Sequence, residues 1–182
     1  MKTLESAGLV TGNNKEIIEF GLDKIRDTFA SWIFAVVCAW VMGDFFVGVL
    51  FEGSYMLLRS FTGGYHAKTK RKCLILTYIS TLVCMIVVFV MPLCNLLYKI
   101  CLILFNIIIY FTAPIQSKNK PLNLIEQKMY RKISYVVSLA ESALCIFFSW
   151  NGLCLYLKTI FVSLLITVVG IIGAFMFNSN NS

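Results

Sequence analysis

The run CLILTYISTLVCMIVVFVM, residues 73–91, contains no charged side chain. A helix needs about 20 mainly apolar residues to cross the hydrocarbon core of a bilayer, and this run has that length. Further apolar stretches follow at 96–113, 133–150 and 154–177. These four segments predict four clear membrane-spanning helices.

Composition agrees with that prediction along the whole chain. Hydrophobic residues make up 59% of the 182 positions and charged residues 14%, and the mean hydropathy is +0.81. A soluble domain has about 25% charged residues. We therefore predict an all-α integral membrane protein, a polytopic helical bundle in the lipid bilayer, in which residues 1–182 form a single membrane domain.

The amino-terminal part has a different pattern. Residues 14–29 show the apolar spacing of an amphipathic helix, which suits the surface of a membrane. The apolar segment 30–58 is long for one span and short for two, and it is interrupted at 42–44 and 51–53. We predict a surface helix over 14–29, followed by a bent, re-entrant or paired-helix segment over 30–58.

Lysine and arginine indicate which connections are cytoplasmic. The segments 59–72 and 114–132 contain five of these residues each. The turns near Pro92 and Asn151 have only one lysine each nearby. The positive-inside rule then makes both rich segments cytoplasmic loops, and we favour both chain ends on that side. The formal net charge of +7 fits contacts with lipid headgroups. Nucleic acid is not an expected partner, because the charges are divided among short loops.

Cysteine usage argues against a metal centre. The seven cysteines form no Cys-x-x-Cys pair: Cys38, Cys73, Cys84, Cys94, Cys101, Cys145 and Cys154. With a single histidine, His66, the chain lacks the ligand spacing of a zinc site, and we expect no metal ion and no cofactor. Cysteines inside apolar runs usually act as small hydrophobic residues. Cys73 differs from the others because it stands beside a cluster of cations.

The segment RSFTGGYHAKTKRKC, residues 59–73, has the parts of a nucleophilic site. Three cations stand directly before the cysteine: Lys70, Arg71 and Lys72. Cys73 also begins a predicted span, where exposed helical amides carry partial positive charge. Both effects favour the thiolate, which is the nucleophilic form of cysteine, and the reducing cytosol keeps the thiol free. A histidine that approaches this thiolate supplies a general base and then a general acid.

The spacing of His66 and Cys73 sets a geometric condition. On one continuous helix they would lie about 10 Å apart along the axis, which is beyond hydrogen-bond reach. The chain must therefore turn back, and Gly63 and Gly64 permit such a turn. A less specific interpretation is that the glycines form only a turn and the cations only mark the cytoplasmic side. The spacing alone leaves both interpretations open.

This segment resembles the signature of the accessory gene regulator B family (AgrB-like proteins). The shared pattern is an arginine, then Gly-Gly-x-His-Ala, then a cysteine seven residues after the histidine. The later segment with Ala113, Pro114, Asn119, Lys120 and Pro121 is also similar, as are the chain length and the membrane pattern. The resemblance thus covers most of the chain, and the His–Cys segment is its specific motif.

The resemblance implies a membrane cysteine endopeptidase of peptide quorum sensing in the bacterial cytoplasmic membrane. Such an enzyme cleaves a small precursor peptide of the AgrD type on its C-terminal side and promotes its closure into a thiolactone or lactone. His66 would then be the catalytic base and Cys73 the nucleophile. Arg59 and Gly64 match further positions that matter for activity in the family, and the adjacent Gly63 is expected to support the site. The resemblance also implies a homodimer, and the motif does not identify a third residue that orients the histidine.

Ionisable residues inside apolar runs are functional candidates, because charge is costly at membrane depth. Glu141 has two open interpretations, a buried structural hydrogen bond or polar support near the active site. Asp44 and Glu52 are expected where a re-entrant segment faces water. Lys158 is expected to extend its amine towards the membrane surface.

Three other functions stay open on the sequence alone. A transporter of the mature peptide would use a residue such as Glu141, but it leaves the glycine–histidine segment unexplained. A membrane scaffold without catalysis predicts that Cys73→Ala has no effect. A thiol oxidoreductase lacks the Cys-x-x-Cys pair that it would need.

Overall fold

The computed structural model describes residues 15–64, 69–92, 95–115 and 123–178. Within these ranges the chain forms six α-helices and no strand, which confirms the predicted all-α class. The helices are α1 Lys15–Val41, α2 Phe45–Thr62, α3 Lys70–Val90, α4 Asn95–Thr112, α5 Leu124–Trp150 and α6 Cys154–Asn178.

Three of the described helices are long and apolar enough to cross a membrane: Arg71–Val90 in α3, Leu124–Trp150 in α5 and Cys154–Met176 in α6. The apolar part of α4, Leu97–Thr112, is shorter. The chain is therefore a multi-pass membrane protein, and the total number of crossings stays a prediction.

Exposed side chains support the same conclusion. Trp150 is 90% exposed, Phe111 73% and Trp40 70%. A soluble monomer rarely shows so many large apolar side chains to water, whereas lipid tails accommodate them.

The amino-terminal helices differ from the predicted boundaries. One continuous helix, α1, runs through the expected boundary at 29–30, and the chain breaks only at 42–44. Gly43 has φ of +119°, and the Asp44 carboxylate caps α2 by accepting a hydrogen bond from Phe46 N at 2.9 Å. The second expected interruption, 51–53, lies inside α2. The segment is thus a helical hairpin, and the surface position of residues 14–29 stays a prediction.

Small residues allow the two helices of this hairpin to approach closely. Ala35 and Ala39 of α1 are fully buried. A Cβ atom at Gly48 of α2 would lie 2.6 Å from the Ala35 carbonyl oxygen and from Val36 Cα. Small residues at such contacts are the usual means by which helices in membranes pack tightly.

The core of the bundle is organised around α6. Leu157, Ile160, Leu164 and Ile171 of this helix are almost completely buried. The helix packs against α2, α3, α4 and α5. Because α6 contacts α2 along its length, residues near its carboxyl end reach the segment that follows α2.

Both basic connections meet the bundle at the same end. Ile115 N, just after α4, donates to Thr62 O at the end of α2 at 2.9 Å, and Arg131 Nε of α5 donates to Ala113 O at 3.0 Å. We call this end, with residues 59–64, 69–73, 112–115 and 123–132, the basic end.

The turn between α1 and α2, the carboxyl end of α3 and the first turns of α6 lie together at the opposite end of the bundle. The Tyr156 hydroxyl donates to Asp44 Oδ2 at 3.0 Å, and Lys158 Nζ donates to Met91 O at 3.2 Å. Lys158 therefore binds the carboxyl end of α3, where its positive charge is favourable.

Candidate active site

Arg59 and Gly63 form the best-defined part of the motif. Gly63 follows the last residue of α2, and its amide donates to Arg59 O at 3.2 Å. The Arg59 guanidinium in turn donates from Nη1 to Gly63 O at 2.7 Å. The two residues are thus joined in both directions, which fixes how the chain leaves α2.

The two glycines of the motif occupy positions that other residues rarely adopt. Gly63 has φ of +69° and Gly64 +140°. A Cβ atom at Gly63 would lie 2.6 Å from Ile115 O, and one at Gly64 would lie 2.6 Å from Arg59 Cζ. The first glycine therefore makes room for the segment after α4, and the second makes room for the guanidinium.

Cys73 lies in the first turn of α3. Thr69 caps this helix: its hydroxyl accepts from Lys72 N at 3.4 Å, and its carbonyl accepts from Cys73 N at 3.0 Å. The cysteine is a free thiol and is half-buried. The neighbouring side chains of Arg71 and Lys72 are exposed, so they can meet a ligand that approaches from solvent.

Tyr55 lies on α2 close to Arg59 in sequence. It lies one helical turn before Arg59 on α2, so the two side chains share a helix face. Arg59, near the end of α2, and Cys73, in the first turn of α3, lie at the same end of the bundle. The signal for Tyr55 in the sequence is its spacing of four residues from Arg59, which places both on one helix face.

The remaining parts of the motif are described only in part. Residues 65–68, which include His66, lie outside the described residues, and so do Cys94 and 119–121 of the later segment. The assignment of His66 as catalytic base therefore stays a prediction. Lys70 is described only as the first residue of α3.

The segment after α4 is part of the same end of the bundle. Ala113 is fully buried, and its carbonyl holds Arg131 of α5. Phe61 of α2 and Tyr130 of α5 stack edge to face, with 5.9 Å between ring centroids. The start of the second family segment thus packs at the basic end, where the next residue, Ile115, meets Thr62 and Gly63.

Glu141 lies in the interior of the bundle, 5% exposed. Its interacting neighbours are Ser54 of α2 and Cys145 one turn along α5. Ser54 shares a short hydrogen bond of 2.5 Å with Ser163 of α6, and neither carboxylate oxygen of Glu141 has a hydrogen bond of good geometry within the described chain. Glu141 therefore belongs to a polar contact between α2, α5 and α6.

The prediction that Glu52 faces water is wrong. Glu52 is completely buried, and its Oε1 atom accepts a hydrogen bond from Ser31 of α1 at 2.7 Å. Residues 51–53 form a regular part of α2 that packs inside the bundle, so no water-facing re-entrant break exists there. Asp44 is half-buried and acts as the α2 cap.

Two other features bear on ligand binding. In the described ranges, no group of three or more His, Cys, Asp or Glu side chains could hold a metal ion. A groove of about 630 Å³ opens between α4 and α5 and is lined mainly by exposed apolar residues such as Ile103, Ile107 and Phe111. Arg59 and Cys73 are not among the residues that line it.

A family model described as "Accessory gene regulator B" matches residues 2–176, nearly the whole chain. The comparison with curated proteins found no match, and the comparison with solved structures found none.

Proposed function

Because the chain belongs to the accessory gene regulator B family, with its role in processing a quorum-sensing peptide, we propose that it is a membrane cysteine endopeptidase. In this proposal it cleaves a small precursor peptide of the AgrD type through a thioester on Cys73. It then promotes closure of the amino-terminal fragment into a thiolactone or lactone.

One observation carries the proposal. Arg59 and two glycines in left-handed conformations fix the chain directly before the Tyr-His pair at 65–66, at the same end of the bundle as the half-buried thiol of Cys73. A turn that only joined two spans would not need a buried glycine packed on a guanidinium. Such anchoring suits a site whose histidine follows directly after the glycines, because catalysis depends on the position of His66 relative to Cys73.

The first step forms the acyl-enzyme. The Cys73 thiolate attacks the carbonyl carbon of the scissile peptide bond, and a C–S bond forms. The C–N bond then breaks, and His66, protonated as the partner of the thiolate, gives its proton to the leaving amine. The C-terminal tail departs with a free amino group, and the amino-terminal fragment stays on Cys73 as a thioester.

The second step closes the ring. A thiol or hydroxyl within the bound fragment loses its proton to His66 and attacks the thioester carbonyl. The bond to Cys73 breaks and its sulfur leaves as thiolate, which restores the starting pair. Closure to a thiolactone exchanges one thioester for another, so it needs little free energy, whereas water would waste the activated acyl group.

Charge at the basic end suits the proposed substrate. The described parts of this end carry five exposed cations: Arg71, Lys72, Lys128, Arg131 and Lys132. Precursor tails in this family tend to be acidic, and a cluster of positive charge raises the local concentration of an acidic peptide. The proposal therefore expects tail binding to weaken as salt concentration rises.

Assembly as a homodimer remains part of the proposal. Large apolar side chains are exposed on α3 and α4, among them Ile75, Ile79 and Ile103. Such faces suit lipid or a second copy of the chain. Crosslinking in native membranes tests this, and recovery of monomer only would contradict it.

The test of function is peptide cleavage by the purified protein in lipid vesicles, with no second protein present. The substrate is a synthetic precursor peptide of the AgrD type, with Cys or Ser before an acidic tail. The wild type should release the tail, Cys73→Ala should not, and His66→Ala should be about 10²- to 10⁴-fold slower. Cys101→Ala is the control and should cleave like the wild type. A transporter would move the peptide across the vesicle membrane uncut, and a scaffold would leave it unchanged.

A further inference from the structure

We infer that Gly170 of α6 is a positioning residue of the active site, which it serves by making room for the Arg59 guanidinium. The inference rests on the proposed function. It assigns α6, whose Gly170 lies 97 residues after Cys73 in sequence (170 − 73), to the same site.

The Arg59 guanidinium is confined by glycines on two elements. A Cβ atom at Gly170 would lie 3.0 Å from Nη1 and 3.9 Å from Cζ of Arg59. A Cβ atom at Gly64 would overlap the same group, at 2.6 Å from Cζ. We call the space bounded by Gly63, Gly64 and Gly170 the arginine socket.

The socket connects α6 to the catalytic segment through one hydrogen bond. Nη1 is the atom that donates to Gly63 O at 2.7 Å, and it is also the atom nearest to Gly170. A methyl group at position 170 therefore pushes on the donor of that bond. On its other side the guanidinium already packs on the buried Gly64, where a Cβ atom would lie 2.6 Å from Cζ.

Of the two glycines of α6, only Gly170 has another residue close to its Cβ position. Gly173 lies three residues further along the helix, and nothing stands within 4 Å of a Cβ atom placed there. Both glycines are helical, and alanine favours a helix more than glycine does. Gly170→Ala and Gly173→Ala should thus both favour α6 formation, and only Gly170→Ala should disturb the site.

The experiment compares these two variants in lipid vesicles or nanodiscs. In single-turnover cleavage of the same precursor, Gly170→Ala should slow acylation of Cys73 by about 10- to 100-fold, because displacement of a catalytic segment has effects of this size. Gly173→Ala should stay within about twofold of the wild type. In steady-state cleavage of the same precursor, the loss should appear mainly in kcat, with KM changed much less, since the socket positions the enzyme's own segment. A loss confined to KM would overturn the inference.

Hydrogen exchange of the backbone supplies a readout that does not need activity. Amides in the peptide covering residues 59–64 should exchange faster in Gly170→Ala than in Gly173→Ala and the wild type. Equal exchange in all three proteins would contradict the socket, whatever the cleavage rates. If the wild type forms no adduct on Cys73, the proposed function fails, and this comparison still decides whether Gly170 positions Arg59.

A double variant tests the route through Arg59. Lysine is slimmer than arginine at its end and can still donate to Gly63 O, so Arg59→Lys should relieve the crowding that Gly170→Ala creates. In the Arg59→Lys background, Gly170→Ala should therefore cost less than in the wild type. Equal costs in both backgrounds would mean that the two residues act independently and would overturn the inference.

Discussion

Arg59 determines how the chain leaves α2. Its backbone carbonyl accepts from Gly63 and its side chain donates to the same residue, so the helix end and the guanidinium hold one turn together. This arrangement needs glycine at 63 and 64 for different reasons. At 63 the obstacle to a side chain is the carbonyl of Ile115, and at 64 it is the guanidinium itself.

Gly64→Ala should abolish most activity. The new methyl group would overlap the Arg59 guanidinium, and the backbone φ of +140° is strained for any residue with a Cβ atom. We expect cleavage to fall by about 100-fold or more, as for other displacements of catalytic groups. Gly152→Ala is the matched control, because it also has positive φ, +72°, but nothing lies within 4 Å of its Cβ position. Precursor cleavage by both variants in vesicles measures the difference; equal activity would contradict the packing of Arg59 on Gly64.

The candidate site residues could be predicted from the sequence, but the contacts that hold them in place could not. The glycine pair, Arg59 and Cys73 stand in one short segment, so their types and spacing identify them together. The contacts with Ile115 and Gly170 depend on residues about 50 and 110 positions away. Glu52 was misjudged for the same reason, because its partner Ser31 lies on another helix.

The hairpin of α1 and α2 shows what changes of composition can and cannot predict. Polar residues become rare after position 29, and that change suggested a new element. A helix can continue through such a change, because backbone hydrogen bonds do not depend on side-chain polarity. The break comes at 42–44, where Gly43 and the Asp44 cap supply local turn chemistry.

Gly48→Ala should destabilise this hairpin. A Cβ atom there would lie 2.6 Å from the Ala35 carbonyl oxygen, so α1 and α2 must move apart. Overpacking of this kind costs about 1–3 kcal/mol. Gly53→Ala in the same helix is the control, because its nearest neighbour, Trp32 Cη2, would lie at an ordinary 3.5 Å.

Thermal unfolding in detergent, followed by circular dichroism, compares these two variants. We expect a lower Tm for Gly48→Ala and an unchanged or higher Tm for Gly53→Ala. A Tm for Gly48→Ala at or above that of the wild type would show that α1 and α2 are not packed as closely as described.

Across the whole molecule, charge and apolar surface together set the arrangement. The apolar spans and the inside-positive pattern predicted a multi-pass bundle with both basic connections at one end. In the described residues, the carboxyl ends of α2 and α4 and the first turns of α5 are in contact with one another. The order of packing around α6 was not predictable, because all the spans have similar composition and lipid-facing positions are as apolar as buried ones.

The side of the membrane is testable by cysteine accessibility. Single cysteines placed at Lys72 and Lys132 should react with a membrane-impermeant maleimide only after the membrane has been permeabilised. A cysteine at Asn151, in the exposed turn between α5 and α6, should react from outside. Labelling of the first two positions from outside would contradict the proposed site, since the precursor is made in the cytoplasm.

The central claim is that Cys73 carries the peptide, and trapping of the acyl-enzyme tests it most directly. The wild-type protein in vesicles is mixed with a precursor whose internal Cys or Ser is changed to Ala, so that the ring cannot close. Mass spectrometry of the intact protein and its peptides should show the amino-terminal fragment attached to Cys73 by a bond that hydroxylamine cleaves. Cys145→Ala should form the same adduct, and Cys73→Ala should form none. An adduct on another residue, or cleavage by Cys73→Ala at the wild-type rate, would contradict the account.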